Sequence, residues 1–437
     1  MPKRAVVLAG GGSRGPYQVG VWQALRELDI PFQIVTGTSV GALNGALMAQ
    51  GDFAQAKEMW ESLAQSDVIA AFSSADPSGL VGKGRYFGDF IKQLLEQGGL
   101  DVSPLEATLR RAVDEQALRA SPVEYGLVTA KLPAFKAVQL TKSEIPEGEL
   151  VDYMLASATY FPFFPRKEIG GDRYVDGAFS DNLPIELALR CGAEEIVAVD
   201  LHSIGRLHRP GGGVPITYIH CHWDLGQVLA FDKAFARRNL RLGYLDGLRA
   251  YHRLEGCAYA FSPGESGKNA RALAGALSFM RYEMGVWPFG QQEKLPALLN
   301  PPRPHERWFA KGGESPTLGR AVATAAEIAG ELLELPPEPV YAFRDFNALL
   351  AATAEYLRRP RGEQASPNPF ESPGRLKTRL ALQAVYDLLV SAEKSGSPPE
   401  TLWALAALTP KEFVAANYLY ALELLARESE WGLAARL

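Results

Sequence analysis

The stretch Ile34-Val35-Thr36-Gly37-Thr38-Ser39-Val40-Gly41-Ala42-Leu43-Asn44 decides the architecture. β-Branched residues that suit a strand run into Gly-x-Ser-x-Gly and then into small residues that suit a helix lying close on a sheet. That order is a nucleophile elbow. A turn this sharp lifts the serine off the strand end, and a side chain at Gly37 or Gly41 would collide with its neighbour.

The pentapeptide is weak evidence by itself, and it occurs a second time as Gly11-Gly12-Ser13-Arg14-Gly15. The second copy also follows an apolar run, Ala5 to Ala9, and precedes a helix-like stretch, so one of the two serines serves another purpose. Working outward, Arg4 to Ala9 reads as a buried strand, Pro16 to Leu28 as a helix with Val21, Leu25 and Leu28 on one face, and Phe32 to Thr36 as a second strand. A β-α-β-α opening predicts a parallel sheet that binds its ligand at the carboxyl ends of the strands.

Further along, Phe53 to Leu63 and Phe87 to Gln97 read as helices on either side of a Ser/Gly/Pro-rich loop, Ser73 to Gly84. Ser103-Pro104 reads as the N-cap and first turn of another helix. Glu124 to Ala130 and Phe135 to Leu140 are expected strands, and Leu150 to Ser157 a helix. Arg166 to Ile169, Gly170-Gly171 and Arg173 to Val175 form an expected hairpin that ends in Asp176; Asp181-Asn182-Leu183-Pro184 then starts a helix. Glu195 to Leu201 is an expected buried strand, and Phe231 to Arg253 a long helix interrupted near Gly243. Beyond about residue 260, proline-rich breaks at 300–304, 336–339 and 360–373 separate Ala/Leu/Glu-rich helices over Thr317 to Leu335 and Leu376 to Lys394, and one opening on the capping-box pattern Thr409-Pro410-Lys411-Glu412. Two domains are expected: 1–260, and a helical region of unknown role over 261–437.

Composition narrows the classes. With 437 residues and 47% hydrophobic content the chain can bury a large core. A net charge of −5 and a pI near 5.8 offer no footprint for a polyanion, which argues against nucleic acid as a partner. Three cysteines, Cys191, Cys221 and Cys257, without Cys-x-x-Cys spacing, suggest a reducing compartment, no structural zinc, and a role as small buried apolar residues. The apolar run after Met1-Pro2-Lys3-Arg4 is too short for a signal peptide, and no segment approaches the ~18 apolar residues of a membrane span. A soluble, cytoplasmic protein is expected, with export by a route that leaves no cleaved signal kept open.

The loop Gly10 to Gly15 fits Gly-x-Gly-x-x-Gly, but a dinucleotide site needs an acidic residue at the end of the second strand. That strand ends at Thr36-Gly37, and Asp29 precedes it. The needs of Ser39 give the loop a better use. A serine attacking an acyl carbonyl creates an oxyanion that backbone N–H groups must meet; Gly11 and Gly12 can present theirs unobstructed, with the Val40 amide as a further donor. Ser13 is then a loop residue, and Arg14 either orders the loop or adds positive potential. No histidine precedes His202, so a base from the first two hundred residues must be a carboxylate. Asp176, between Val175 and Gly177-Ala178, suits that role if burial beside Phe161 to Phe164 raises it above the usual ~3.9. Its plain alternative is an Asx-turn residue.

Taken together, Gly10-Gly11-Gly12-Ser13-Arg14-Gly15, Gly37-Thr38-Ser39-Val40-Gly41, Ala156-Ser157-Ala158, and Asp176-Gly177-Ala178 with Asp181-Asn182-Leu183-Pro184 resemble the patatin-like phospholipases over about residues 4–255. The resemblance implies a three-layer α/β/α fold with a mainly parallel sheet. It also implies a lipid acyl hydrolase of the phospholipase A or lysophospholipase type, in which Ser39 and Asp176 form a dyad. Gly10, Gly11, Gly12 and Val40 would form the oxyanion hole; Arg14, Gly15, Gly37, Gly41, Gly177 and Ala178 would support it, with no metal and no cofactor. Where many members have Asp-Gly-Gly, this chain has Asp176-Gly177-Ala178, a variant the family also uses. The implied partners are phospholipid, lysophospholipid or another acyl lipid, with peripheral membrane contact and no nucleic acid.

Other readings stand beside this one. His202, His208, His220 or His222 could complete a Ser-His-Asp triad. His220-Cys221-His222 could form a metal pair, although no third ligand is evident in the sequence. An acyltransferase would use the same acyl-enzyme with another acceptor, and a lipid-binding scaffold would keep the fold without the chemistry. Arg237, Arg238 and Arg241 form either an anionic-lipid contact or a solvated face; Phe161 to Pro165 is either an acyl-chain contact or core.

Overall fold

Strand β1 (Arg4–Leu8) sits near the middle of an eight-stranded sheet, in parallel register with β2 (Ile34–Thr38) on one side and β7 (Glu195–Asp200) on the other. All five residues of β2 are buried, as expected for a strand covered on both faces. The computed structural model describes residues 2–70, 99–265, 273, 295–299, 301–309, 318–358 and 373–428; the helix expected over 87–97 and the loop over 73–84 lie outside them.

The sheet continues from β2 to the parallel β3 (Glu124–Lys131) and from β7 to the parallel β8 (Ile216–His220). Strand β4 (Lys136–Thr141) pairs antiparallel with β3, as does β6 (Asp172–Asp176), which also pairs with β5 (Lys167–Ile169). β4 pairs with β3 over Gly126 to Lys131, leaving the opposite edge of β3 to β2 over Glu124 to Val128 and to β6 over Thr129 to Lys131. Strands β2 and β6 therefore meet end to end: Thr38 lies opposite Val128, and Asp176 lies opposite Thr129. This register brings the residue after Thr38 up against Asp176, although 137 positions separate them.

Helices pack onto this sheet: α1 (Pro16–Glu27), α2 (Val40–Gln50), α3 (Phe53–Ser62), α4 (Ser103–Ala112), α5 (Glu115–Ala120), α6 (Leu150–Ser157), α7 (Ile185–Arg190) and α8 (Lys233–Ala250). One core cluster joins Ala42, Leu43 and Ala46 of α2 to Tyr125, Leu127 and Met154; another joins Ala5, Val7 and Ile196 to Ile185 and Ala188. Helices on both faces of a mainly parallel sheet give the three-layer α/β/α fold expected from the sequence.

Three details differ from the sequence reading. Gly243 does not interrupt α8, which runs unbroken; it lets the helix lie against α1, since a Cβ there would stand 1.9 Å from the Tyr17 carbonyl oxygen. Ser103 is inside α4, whose N-cap is Val102, because Asp101 Oδ1 takes the Ser103 N–H at 2.9 Å. Of the cysteines only Cys221 is buried; Cys191 is half-buried and Cys257 exposed.

The chain divides into two compact units, Met1–Ala250 with His305–Phe309, and Tyr251–Pro304 with Ala310–Leu437. The second holds α9 (Leu295–Leu299), α10 (Leu318–Leu332), α11 (Phe343–Arg358), α12 (Pro373–Ser395), α13 (Glu400–Leu408) and α14 (Pro410–Glu428), with a short parallel pair of β9 (Ala260–Phe261) and β10 (Val340–Tyr341). Buried Glu327 anchors it by accepting the N–H groups of Cys257, Ala258 and Tyr259 on one oxygen at 2.6, 2.8 and 3.0 Å. Thr409 does not cap α14 with its side chain: its hydroxyl donates to Leu405 O at 2.9 Å, back on α13.

Candidate active site

Ser39 stands at the turn between β2 and α2 with φ 54° and ψ −126°, in the left-handed region that a serine rarely adopts. The flanking glycines make this turn feasible. A Cβ on Gly37 would lie 2.1 Å from Gly41 O, and one on Gly41 would lie 2.3 Å from Leu8 O on β1. The first clash is the expected one inside the elbow; the second comes from the neighbouring strand. Ser157 completes the support, accepting the Ser39 N–H at 2.9 Å and donating to Val128 O at 2.6 Å. Its position before Phe161-Pro162 belongs to the quoted motif, but nothing in the sequence alone gives its partner 118 residues away.

The Ser39 hydroxyl donates to Asp176 Oδ2 at 2.7 Å, and Asp176 Oδ1 accepts the Ala178 N–H at 2.8 Å. Asp176 is 1% exposed. Burial pushes its carboxyl up to about 7, against the Ala178 N–H and the Ser39 hydroxyl, which favour the ionised form. The Asx-type bond to Ala178 and the bond to Ser39 therefore coexist, so the two readings of Asp176 do not exclude each other. Gly177 is needed where it stands, because a Cβ would lie 2.2 Å from Val128 O.

The glycine loop behaves differently at each position. Gly10 donates its N–H to Asn182 O and Oδ1, both at 3.1 Å, so the expectation of an oxyanion donor there is corrected: that hydrogen is taken. The N–H groups of Gly11 and Gly12 carry no hydrogen bond among the described residues, and Val40 heads α2, where N–H groups have no partner within the helix. Ser13 is buried and donates to Gln227 O at 2.6 Å, a structural role. Arg14 orders the loop through Gly226 O at 2.8 Å, Leu201 O at 3.1 Å and His202 O at 3.0 Å. At Gly15 a Cβ would stand 2.5 Å from both Trp60 and Val40.

Ser39, Asp176, Ala178 and Gly10 to Gly12 line one cavity of about 980 Å³, its open mouth included. Leu43, Leu47, Trp60, Leu109, Phe164 and Leu229 make most of its wall apolar. Of the aromatic loop, Phe164 reaches this wall, while Phe161 lies under Arg166 and Phe163 stacks on Tyr160. No histidine bonds to Ser39 or Asp176 among the described residues: His208 contacts Ser180 O at 2.7 Å, and His202 faces Glu306 at 3.0 Å. In the basic cluster, Arg238 donates to Asp224 O and Arg241 lies over Tyr244.

A strained serine at a strand–helix elbow, bonded to a buried carboxylate beside free backbone N–H groups, has the layout of a serine hydrolase. Residues 6–189 match the family model of the patatin-like phospholipases. Patatin-like phospholipase domain-containing protein 7 from Rattus norvegicus is 28% identical over 205 residues, 46% of this chain and 14% of the rat protein. Lysophospholipase NTE1 from Mycosarcoma maydis is 25% identical over 289 residues, 64% of this chain and 14% of that protein. The chain thus spans about a seventh of the length of these relatives. Among solved structures, VipD from Legionella pneumophila aligns over 97% of this chain and 91% of its own at 13% identity, with a TM-score of 0.36. No described helix is long and apolar enough to cross a membrane.

Proposed function

We infer that the chain is a serine lipid acyl hydrolase, acting on phospholipid or lysophospholipid esters, with Ser39 as nucleophile and Asp176 as general base. The observation that carries this reading is the 2.7 Å bond from the Ser39 hydroxyl to Asp176 Oδ2 at the wall of an apolar cavity. In the first half-reaction the hydroxyl proton passes to Asp176 while Oγ forms a bond to the ester carbonyl carbon. The oxyanion is met by N–H groups of Gly11, Gly12 and Val40. Collapse breaks the ester C–O bond, and Asp176 returns its proton to the leaving alkoxide. Water then attacks the acyl-enzyme, gives its proton to Asp176, and releases the fatty acid as Ser39 recovers its hydrogen. A carboxyl at about 7 suits both halves, since it can take and return a proton near neutral pH. The cavity wall accommodates the acyl chain.

The same acyl-enzyme could pass to another acceptor alcohol, which product analysis with and without added alcohol separates from hydrolysis. Among the described residues the triad reading has no supporting contact, and a scaffold without chemistry does not need the strained serine. The direct test is labelling with a fluorophosphonate and peptide mapping. Label on Ser39, lost in Ser39→Ala and kept in Ser13→Ala, is expected; label on Ser13 would reverse the assignment.

A further inference from the structure

Three of the chain's six histidines gather in one place far from one another in sequence. Strands β7 and β8 are parallel neighbours that end together, with Asp200 opposite His220. Two residues on, His202 turns in the left-handed region (φ 50°), its N–H held by Asp200 Oδ1 at 2.8 Å. The turn Pro304–Trp308 then brings His305 and Glu306 to the same strand ends. His202 Nε2 stands 3.0 Å from Glu306 Oε1, and His220 Nδ1 stands 4.0 Å from the same oxygen.

We propose that His202 Nε2, His220 Nδ1 and Glu306 Oε1 bind a divalent transition-metal ion, zinc by the character of the donors. These three atoms lie within 4.8 Å of one another. Tetrahedral zinc with bonds of ~2.0–2.1 Å holds its ligands about 3.3 Å apart, so small side-chain adjustments would form the site. Among the described residues the His220 Nδ1 atom is buried without a hydrogen-bond partner, and an imidazole nitrogen so placed is available as a metal ligand. Two imidazoles and a carboxylate are a common zinc set, and the fourth position is open to water or to Asp200 Oδ2, 3.9 Å from His202 Nε2. Asp200 stands beside the site: its Oδ1 holds the His202 N–H at 2.8 Å, and its Oδ2 is 3.0 Å from His305 Nε2 and accepts from the Tyr218 hydroxyl. The pairing missed in the sequence is the reason His220-Cys221-His222 looked incomplete: the partners of His220 are His202 and Glu306, not His222.

None of the three ligands lines the Ser39 cavity, so the ion is a structural clamp and takes no part in polarising the ester. What it holds is the loop after β7. The carbonyls of Leu201 and His202 accept from Arg14, and Ser203 donates to Gly10 O, so that loop braces the glycine loop. The competing account is a metal-free network of ion pairs and hydrogen bonds among the same side chains.

The test uses the full chain, stripped with chelator and dialysed, then titrated with Co²⁺ followed by visible absorption and with Zn²⁺ by calorimetry. Expected are one Co²⁺ per chain with the intense bands of four-coordinate cobalt, displacement by Zn²⁺, and a rise in Tm with Zn²⁺. His220→Ala and Glu306→Gln should each weaken binding by on the order of 100-fold, and Zn²⁺ should no longer raise their Tm. Ser39→Ala should bind metal as the wild type does, so loss of hydrolysis and loss of metal are read separately. If a variant does not fold, the cobalt stoichiometry and spectrum of the wild type decide. No saturable binding by the wild type, or unchanged affinity in folded variants, overturns the site and leaves the ion-pair network.

Discussion

Asp176 is where activity and stability pull apart. A carboxyl displaced from 3.8 to about 7 by burial is protonated in the folded state over a range where the unfolded chain has released its proton. The folded state binds more protons between pH ~4 and ~7, so the contribution of this group to stability falls as pH rises through that window and then levels. The full penalty is on the order of 4 kcal/mol. Asp176→Asn should therefore abolish hydrolysis about as completely as Ser39→Ala, the pair acting as one unit, yet melt above the wild type at pH 8 and level with it near pH 4. Paired thermal melts at the two pH values check this; an Asn variant no more stable at pH 8 would mean that the carboxyl is not raised. For the wild type, kcat/KM should rise with pH along a limb centred near 7, where Asp176 ionises. A limb centred near 4 would remove Asp176 as a base shifted by burial. Single alanine substitutions at His208 and His222 should leave most of the rate.

At the scale of elements, periodicity and turn chemistry made most of the first unit legible. Strands β1, β2, β3 and β7, the helix Leu150–Ser157 and the elbow were all readable, because each is a local signal of branched, small or punctuating residues. Contacts set by register were not legible. That Asp176 ends opposite Thr129 while Thr38 ends opposite Val128 depends on which edge of β3 each strand takes, and no local pattern encodes an edge. Gly243 misled for the same reason: a helical glycine looks like a break until the partner helix is known. Gly243→Ala should keep α8 helical but force its Cβ onto Tyr17 O, lowering Tm by several degrees where Gly51→Ala, with open space around it, relieves no packing and acts only through its left-handed φ of 84°. Circular dichroism melts compare them. The elbow yields a cleaner test of the proposed oxyanion donors than the glycine loop, since any side chain at Gly12 would strike Val228 O. Val40 opens α2, a position proline tolerates. Val40→Pro should lower kcat by about 10²–10³-fold relative to Val40→Ala, with KM little changed; equal kcat values would take the Val40 amide out of the oxyanion hole.

For the whole molecule, the segment that returns from the helical half matters more than its length suggests. His305–Phe309 belongs to the first unit: Phe309 stacks on Tyr218 of β8 with ring centroids 4.3 Å apart and planes 5° apart, and packs with Ile216 against the cluster of β1 and β7. A chain cut after Ser262 keeps Ser39, Asp176 and every strand of the main sheet, but uncovers this flank of β8 and removes His305 and Glu306 from Asp200, His202 and His220. The expected result is a protein that still takes the phosphonate on Ser39 at low temperature but melts well below the full chain. Phe309→Ala in the full chain isolates the packing share of that loss. Removing one stacked ring at a half-buried site costs on the order of 1–2 kcal/mol, which for a unit of this size is a fall in Tm of about 3–6 °C. Calorimetry of the three proteins side by side makes the comparison, and a cut chain that melts with the wild type would show that the first unit is complete without its returning turn.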